Sequence, residues 1–369
     1  LRRLAALVAF LAGCSGPSGP QPAEPPEIPK ARDVRVLWST SVGTAERFAF
    51  SPAVDGQSVY AAAREGAVYR IDGATGQTRW RVALQLRLSA AVGAGAGMVV
   101  VVSEEGEVVA LDAETGKVRW RARASTEVLA PPAIGEGLVL VRTLDNRLFA
   151  FEAADGKRRW VYQRAPVSLL VRAPAGAVIA GELAYAGFPG GKLAAIALSN
   201  GVLRWEATVS VPKGATELER VSDVIGDPVL IGREVCAAAY RGRVGCYDAL
   251  TGRQLWSREL VSLSAVSVDA RYLFVADERG TLHAFDRSNG DPVWKQEALA
   301  YRQLSTPLAG EQAVVVGDFE GYIHFVARET GAFVARHETA SGAVRAAPVR
   351  FGPGLVVQTE DGGVFALAL

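Results

Sequence analysis

From residue 34 to the end of the chain, short apolar runs alternate with clusters of turn residues. One such run holds Val68, Tyr69 and Ile71, the spacing of a partly buried strand. The run recurs. Residues 66–80 read GAVYRIDGATGQTRW, residues 106–120 read GEVVALDAETGKVRW and residues 280–294 read GTLHAFDRSNGDPVW. Weaker copies end at Trp160, Trp205 and Trp256, and each copy keeps a Gly at a fixed distance before its Trp: Gly76, Gly116, Gly156, Gly201, Gly252 and Gly290. Self-similarity at this period predicts a repeat architecture.

The chemistry of one copy is legible. Asp72 or Asp112 caps a turn through its carboxylate, and Gly76 or Gly116 supplies a positive φ in that turn. A second strand then presents the Trp. A large flat side chain at one place per repeat suits docking between neighbouring units, and its buried N–H requires a carbonyl partner.

Upstream of the Trp, a Pro marks the start of most copies: Pro52, Pro132, Pro174, Pro228, Pro307 and Pro348. The same interval separates Pro52 from Trp80, Pro132 from Trp160 and Pro228 from Trp256, and it leads from Pro307 to Ala335. Four strands fit the interval, the size of a propeller blade. After Ala335 a last set of strands runs through Gly362-Gly363-Val364-Phe365-Ala366-Leu367 without an outer strand, whereas Val36-Leu37-Trp38-Ser39 is an outer strand without a blade. Joining the two uses all seven Trp. The expectation is therefore an all-β, eight-bladed β-propeller over residues 34–369, with four-stranded blades and a ring closed by the N-terminal strand.

Two copies are long. Between Pro174 and Trp205 the excess reads as an insertion inside the blade near Gly187-Phe188-Pro189-Gly190. Between Trp205 and Pro228 it lies in the connector holding Pro212-Lys213-Gly214-Ala215-Thr216-Glu217-Leu218-Glu219-Arg220. Insertions confined to one face of a repeat protein mark a binding surface or neutral loop growth. The preceding connector holds Val167-Ser168-Leu169-Leu170-Val171-Arg172, read as a partner anchor or as the start of an inner strand.

Composition adds limits. Hydrophobic residues make up 49% of the 369, enough for a large core, and a net charge of +1 gives no sign of a nucleic-acid partner. Arg2 and Arg3 precede an apolar stretch, Leu4 to Leu11, too short to span a bilayer, which ends in Leu11-Ala12-Gly13-Cys14. Residues 1–14 therefore read as a secretory signal, and the Pro-rich residues 15–33 as a semi-extended tether. His283, His324 and His337 match no metal spacing, and paired acids such as Glu104-Glu105 lie in turns. Cys236 and Cys246 flank a hairpin at Arg241-Gly242. An oxidising compartment permits a disulfide there, but cross-strand geometry is often poor for one, so two buried thiols are expected. No catalytic residue, metal site or cofactor site is expected.

The leader resembles a bacterial lipobox, which implies diacylation of Cys14 as the lipid-attachment site; Ser15 after it implies an outer-membrane destination, facing the periplasm. The repeat Ala-x-Asp-x-x-Thr-Gly-x-x-x-Trp resembles the tryptophan-docking motif of quinoprotein propellers. Length, leader and closing strand resemble the BamB family, the lipoproteins of the outer-membrane β-barrel assembly machinery. Ser168-Leu169-Leu170-Val171-Arg172 and Thr216-Glu217-Leu218-Glu219-Arg220-Val221-Ser222-Asp223-Val224 are similar to that family's Ser-Leu-x-Leu-Arg and Thr-Glu-Ile-Asp-Arg-Leu-Ser-Asp-Val stretches. The resemblance implies a non-enzymatic scaffold that binds the POTRA domains of BamA and other components of the machinery, and assists nascent outer-membrane proteins. It implies partner contacts at Leu169, Leu170, Val171, Arg172 and Asp223. Ile225 stands where the family often has a second Asp, and Asp227 follows later. The other readings are a quinone-dependent periplasmic dehydrogenase, whose adjacent Cys-Cys pair is missing here, and a propeller serving another envelope protein.

Overall fold

Eight four-stranded antiparallel sheets account for every strand of the computed structural model, which describes residues 19–165 and 167–369. Blades 1 to 7 occupy residues 53–83, 93–123, 133–163, 177–208, 224–260, 267–296 and 308–338. Blade 8 combines residues 349–368 with the N-terminal strand Arg35–Ser41, which pairs with Gly363–Ala368. The ring is closed by hydrogen bonds between the two ends of the chain, as the Trp count predicts.

The second strand of a blade does not alternate. Met98–Val102 is buried at every position, because neighbouring blades cover both faces. Alternation returns in the outer strand Val118–Arg123, where one face meets water. The core is correspondingly a ring of eight slabs, each shared by two adjacent blades, rather than one centre. Each fully buried Val or Leu in a slab contributes about 1.5–3 kcal/mol.

The indoles lock slab to slab. Trp80 Nε1 donates to the Ala113 carbonyl of the next blade at 3.0 Å, Trp120 to Ala153 at 2.9 Å and Trp160 to Leu198 at 2.7 Å; Trp38 closes the ring by donating to Gly73 at 2.6 Å. The receiving turn is held open by its Asp. Asp112 Oδ1 accepts from the amide of Thr115 at 2.9 Å and its hydroxyl at 2.8 Å. Gly156 has φ +73°, and a Cβ there would stand 2.5 Å from Trp120, so backbone and space both demand glycine.

Ala335 replaces Trp for a structural reason. An indole needs the turn between the third and fourth strands of the next blade, and in blade 8 those strands come from opposite ends of the chain, so the turn does not exist. Phe325, cross-strand partner of Ala335, occupies the position held by Ala110, Ala150 and Ala284 in other blades and fills part of the space.

Three expectations need correction. Cys236 and Cys246 form a disulfide: they are direct cross-strand partners with Cα atoms 4.1 Å apart, and such a narrow pair brings the two Cβ atoms within reach. The extra residues of blade 4 do not lie near Gly187–Gly190. The row Val178, Tyr185, Ala195, Trp205 spans the chain as Ala133, Leu140, Ala150, Trp160 does, so the blade is of ordinary length. Pro174 is not at a strand start but three residues earlier, and the excess lies between Pro174 and that strand, in the connector that leads into blade 4. Finally, residues 19–33 are not free of the propeller: Ala23 and Arg32 donate backbone bonds to Ala300 and Val334 at 2.9 Å each. Cys14 and the rest of the signal segment lie outside the described residues.

Candidate functional site

Each blade sends its outer strand into a connector that leads to the next inner strand, and all connectors share one face of the ring. Two of them are enlarged, residues 164–176 between blades 3 and 4 and residues 209–223 between blades 4 and 5. The sequence places the candidate partner residues in these two, and the fold brings them together.

Asp223 is the joint. Only 5% exposed, it accepts the Val171 amide on Oδ2 at 2.7 Å and the Gly190 amide on Oδ1 at 3.2 Å. Asp227 makes a similar clamp, accepting the Gly176 amide at 2.7 Å, and the Gly226 amide donates to the Pro174 carbonyl at 2.8 Å. The first enlarged connector is therefore pinned to the start of blade 5, across the top of blade 4. Arg142 lies beneath, donating to the Ala175 carbonyl at 3.1 Å. Burial pushes its guanidinium down to about 10, against the pull of Asp223 and Asp227. Burial raises both carboxyls above their ordinary value, an effect that the amide bonds and Arg142 only partly offset. This polar cluster sits under the connector and shapes it.

The second connector stabilises itself. Thr216 and Glu219 bond reciprocally: the amides of Ala215 and Thr216 donate to Glu219 Oε2 at 2.7 and 3.1 Å, and the Glu219 amide donates to Thr216 Oγ1 at 3.3 Å. This is the arrangement of a helix-start capping box closing a single turn. The amides hold the Glu219 carboxyl below its ordinary value.

The named candidates thus divide. Leu169 is 47% exposed and Arg172 is exposed, whereas Leu170 and Val171 are half-buried around a small cavity with Arg142, Pro189 and Ile225. The Arg172 guanidinium pairs with Glu127 of the preceding connector, at 2.7 Å for the Nη2–Oε1 contact. Asp223 faces inward with both oxygens occupied. The sequence reading did not single out Val211, Leu218 and Leu263, each more than half exposed. With Val167 and Leu169 they place exposed apolar side chains on three successive connectors. The only signal for Val211 and Leu218 was their place in an enlarged connector, and Leu263, in the short connector after blade 5, had none.

The channel mouth within this ring of connectors is lined mainly by small and apolar residues such as Ala49, Ser51, Ala265, Thr306 and Leu304, with Asp227 tied to the Gly176 amide and Arg345 paired with Glu360. Glu234, Cys236 and Cys246 lie close enough together to suggest a metal site, but the disulfide commits both sulfurs.

Blade number, terminal closure and indole docking define a quinoprotein-type, tryptophan-docking β-propeller. The family model for outer membrane protein assembly factor BamB matches residues 30–85 and 64–296. Curated relatives of that name from Pseudomonas aeruginosa and Burkholderia pseudomallei are 46% and 41% identical, each over 90% of this chain and 88% and 87% of their own lengths. The chain belongs to the BamB family. Its fold matches the crystal structure of BamB from Moraxella catarrhalis with a TM-score of 0.85 at 24% identity, over 91% of this chain and all of that one. Quinohemoprotein alcohol dehydrogenase from Comamonas testosteroni shares the fold at a TM-score of 0.71 and 14% identity, over 91% of this chain and 76% of that one.

Proposed function

We propose that this chain is a non-enzymatic scaffold of the outer membrane β-barrel assembly complex. In this reading it is anchored by lipid at Cys14, faces the periplasm and binds the POTRA domains of BamA through the connector face. The curated relatives, named as assembly factors, support the role. The observation that supports the surface is the exposed Leu169, held out on a connector that Asp223 fastens from below. Leu169 and Arg172 are the contact residues. Leu170 and Val171 pack the base of the connector, and Asp223 is a positioning residue. A rigid apolar anchor beside a cation, rimmed by polar connectors, suits a protein partner.

Co-purification from envelope extracts tests this. Leu169→Ala combined with Arg172→Ala should remove most of the BamA recovered with the full-length protein, with the propeller folded as judged by its thermal transition. Undiminished BamA recovery from the folded double variant overturns the proposed surface.

A further inference from the structure

A Pro-rich segment offers carbonyl oxygens but few N–H groups, so a protein surface that binds one should present donors. Blade 7 does so with two arginines. Arg302, in the connector before that blade, is almost wholly buried. Its Nε donates to Asp318 Oδ2 at 2.7 Å, its Nη2 pairs with Glu320, and its Nη1 donates to the Ala23 carbonyl at 2.9 Å. Arg336, on the outer strand of the blade, donates Nη2 to the Pro26 carbonyl at 2.5 Å and Nε to His324 Nδ1 at 3.3 Å. Asp318 organises both, since its Oδ2 also accepts from His324 Nε2 at 2.8 Å.

The path of the segment is fixed at both ends. Ala23 donates to Ala300, in a connector, and so lies on the connector face. Arg32 donates its amide to Val334 and its guanidinium to Gln312, at 2.7 Å for the latter, in the hairpin at the opposite end of blade 7. Between them Ala23, Pro25, Pro26 and Ile28 are half-buried while Glu24, Glu27 and Pro29 are exposed. The segment runs down the outer edge of blade 7, turns, and climbs back as the closing strand of blade 8.

We infer that residues 22–32 are a strap bound in an arginine cradle on blade 7, and that the strap makes the chain leave the propeller on the connector face. A flexible tether would let the ring tumble, whereas the strap sets its orientation. The exit point lies three blades round the ring from the Leu169 connector. If Cys14 is the lipid anchor, as proposed above, the connector face is turned toward the membrane; the orientation rests on that reading, and the strap does not. The strap also covers part of the unpaired outer edge of blade 7, closing it to strand addition.

Hydrogen exchange on the full-length protein tests the strap. The amides of Ala23 and Arg32 should exchange at least about tenfold more slowly than free peptide. Arg336→Gln should return Ala23 to within about threefold of free peptide, while Ala313–Gly317 stays protected. Arg302→Ala should do the same, but it also strips buried Asp318 of a partner, so Arg336→Gln carries the test. Free-peptide exchange at Ala23 in the parent protein, or unchanged protection in Arg336→Gln, overturns the strap. Orientation is read separately, with the acylated protein on phosphatidylethanolamine–phosphatidylglycerol vesicles carrying a headgroup quencher. A fluorophore on Glu278→Cys, on the connector face, should be quenched more than one on Glu311→Cys, on the opposite face. Equal or reversed quenching of vesicle-bound protein overturns the orientation. Failure of the parent protein to bind vesicles overturns the anchoring reading and the orientation with it, whereas the exchange result still decides the strap.

Discussion

Val171 donates its backbone N–H to the Asp223 carboxylate at 2.7 Å, joining two connectors 52 residues apart in sequence. The bond separates two ways of losing a partner. Asp223→Ala should free the Val171 amide to exchange and reduce BamA recovery, although Asp223 itself is buried. Hydrogen bonds to a charged group contribute about 1.5–3 kcal/mol, so a local opening of that size is expected, with a small fall in Tm. Leu169→Ala should reduce recovery with the Val171 amide still protected. Hydrogen exchange beside co-purification checks both. Equal Val171 exchange in the two variants would contradict the positioning role.

The indole lattice predicts asymmetric substitutions. Trp120→Ala removes a buried ring and the bond to Ala153, and should destabilise the propeller by about 3–5 kcal/mol. Ala335→Trp, which restores the repeat, should destabilise by about 1–3 kcal/mol, because Phe325 already takes up the space and blade 8 has no turn to receive an indole. Urea denaturation of the two variants beside the parent decides it; a stabilised Ala335→Trp would contradict the account of the missing turn.

These residues also mark where sequence is informative. Trp38 and Ala335 revealed the closure because a repeat is a count along the chain, and a count survives without coordinates. The strap and the Asp223 clamp escaped it. Ala23 meets Arg302, and Asp223 meets Val171, across distances that no periodicity spans. Pro174 misled for a related reason: a proline suits either a strand start or the connector just before it, and only strand register distinguishes them. Cys236 and Cys246 were placed opposite one another correctly, but closeness of approach depends on which type of cross-strand pair they form.

The disulfide gives a simple redox prediction. The cysteines are 10 residues apart and wholly buried. Closing so short a loop stabilises by about 2–3 kcal/mol through the unfolded state. Cys236→Ala with Cys246→Ala should lower stability by that amount and leave BamA recovery intact, since blade 5 keeps its ladder. Reductant should act on the parent protein only after partial unfolding, which thiol labelling at increasing urea will show.

His324 makes stability depend on pH, and the sign follows from its surroundings. Its ring is wholly buried, and burial lowers its pKa below the ordinary value of 6.5, against the pull of Asp318 and with Arg336 and Arg302 adding to the fall. The folded protein therefore holds His324 neutral where the unfolded chain binds a proton, and stability is lost as pH falls from about 6.5 toward the lower folded value. One proton gives a slope of up to about 1.4 kcal/mol per pH unit. Asp318 acts in the same direction further down. Burial raises its carboxyl, the bonds from His324 and Arg302 outweigh that, and its net lowering is lost only as pH falls below the ordinary carboxylate range. Protonation at Nδ1 also removes the acceptor for Arg336 Nε and places a cation beside it, so the strap should loosen before the ring does. The measurement is urea stability from pH 7.5 to 5, with Ala23 exchange followed in parallel. His324→Gln, which keeps a donor for Asp318 and cannot titrate, should reduce the slope and leave the share of His337, whose pKa burial also lowers; an unchanged slope would assign the pH dependence to other groups.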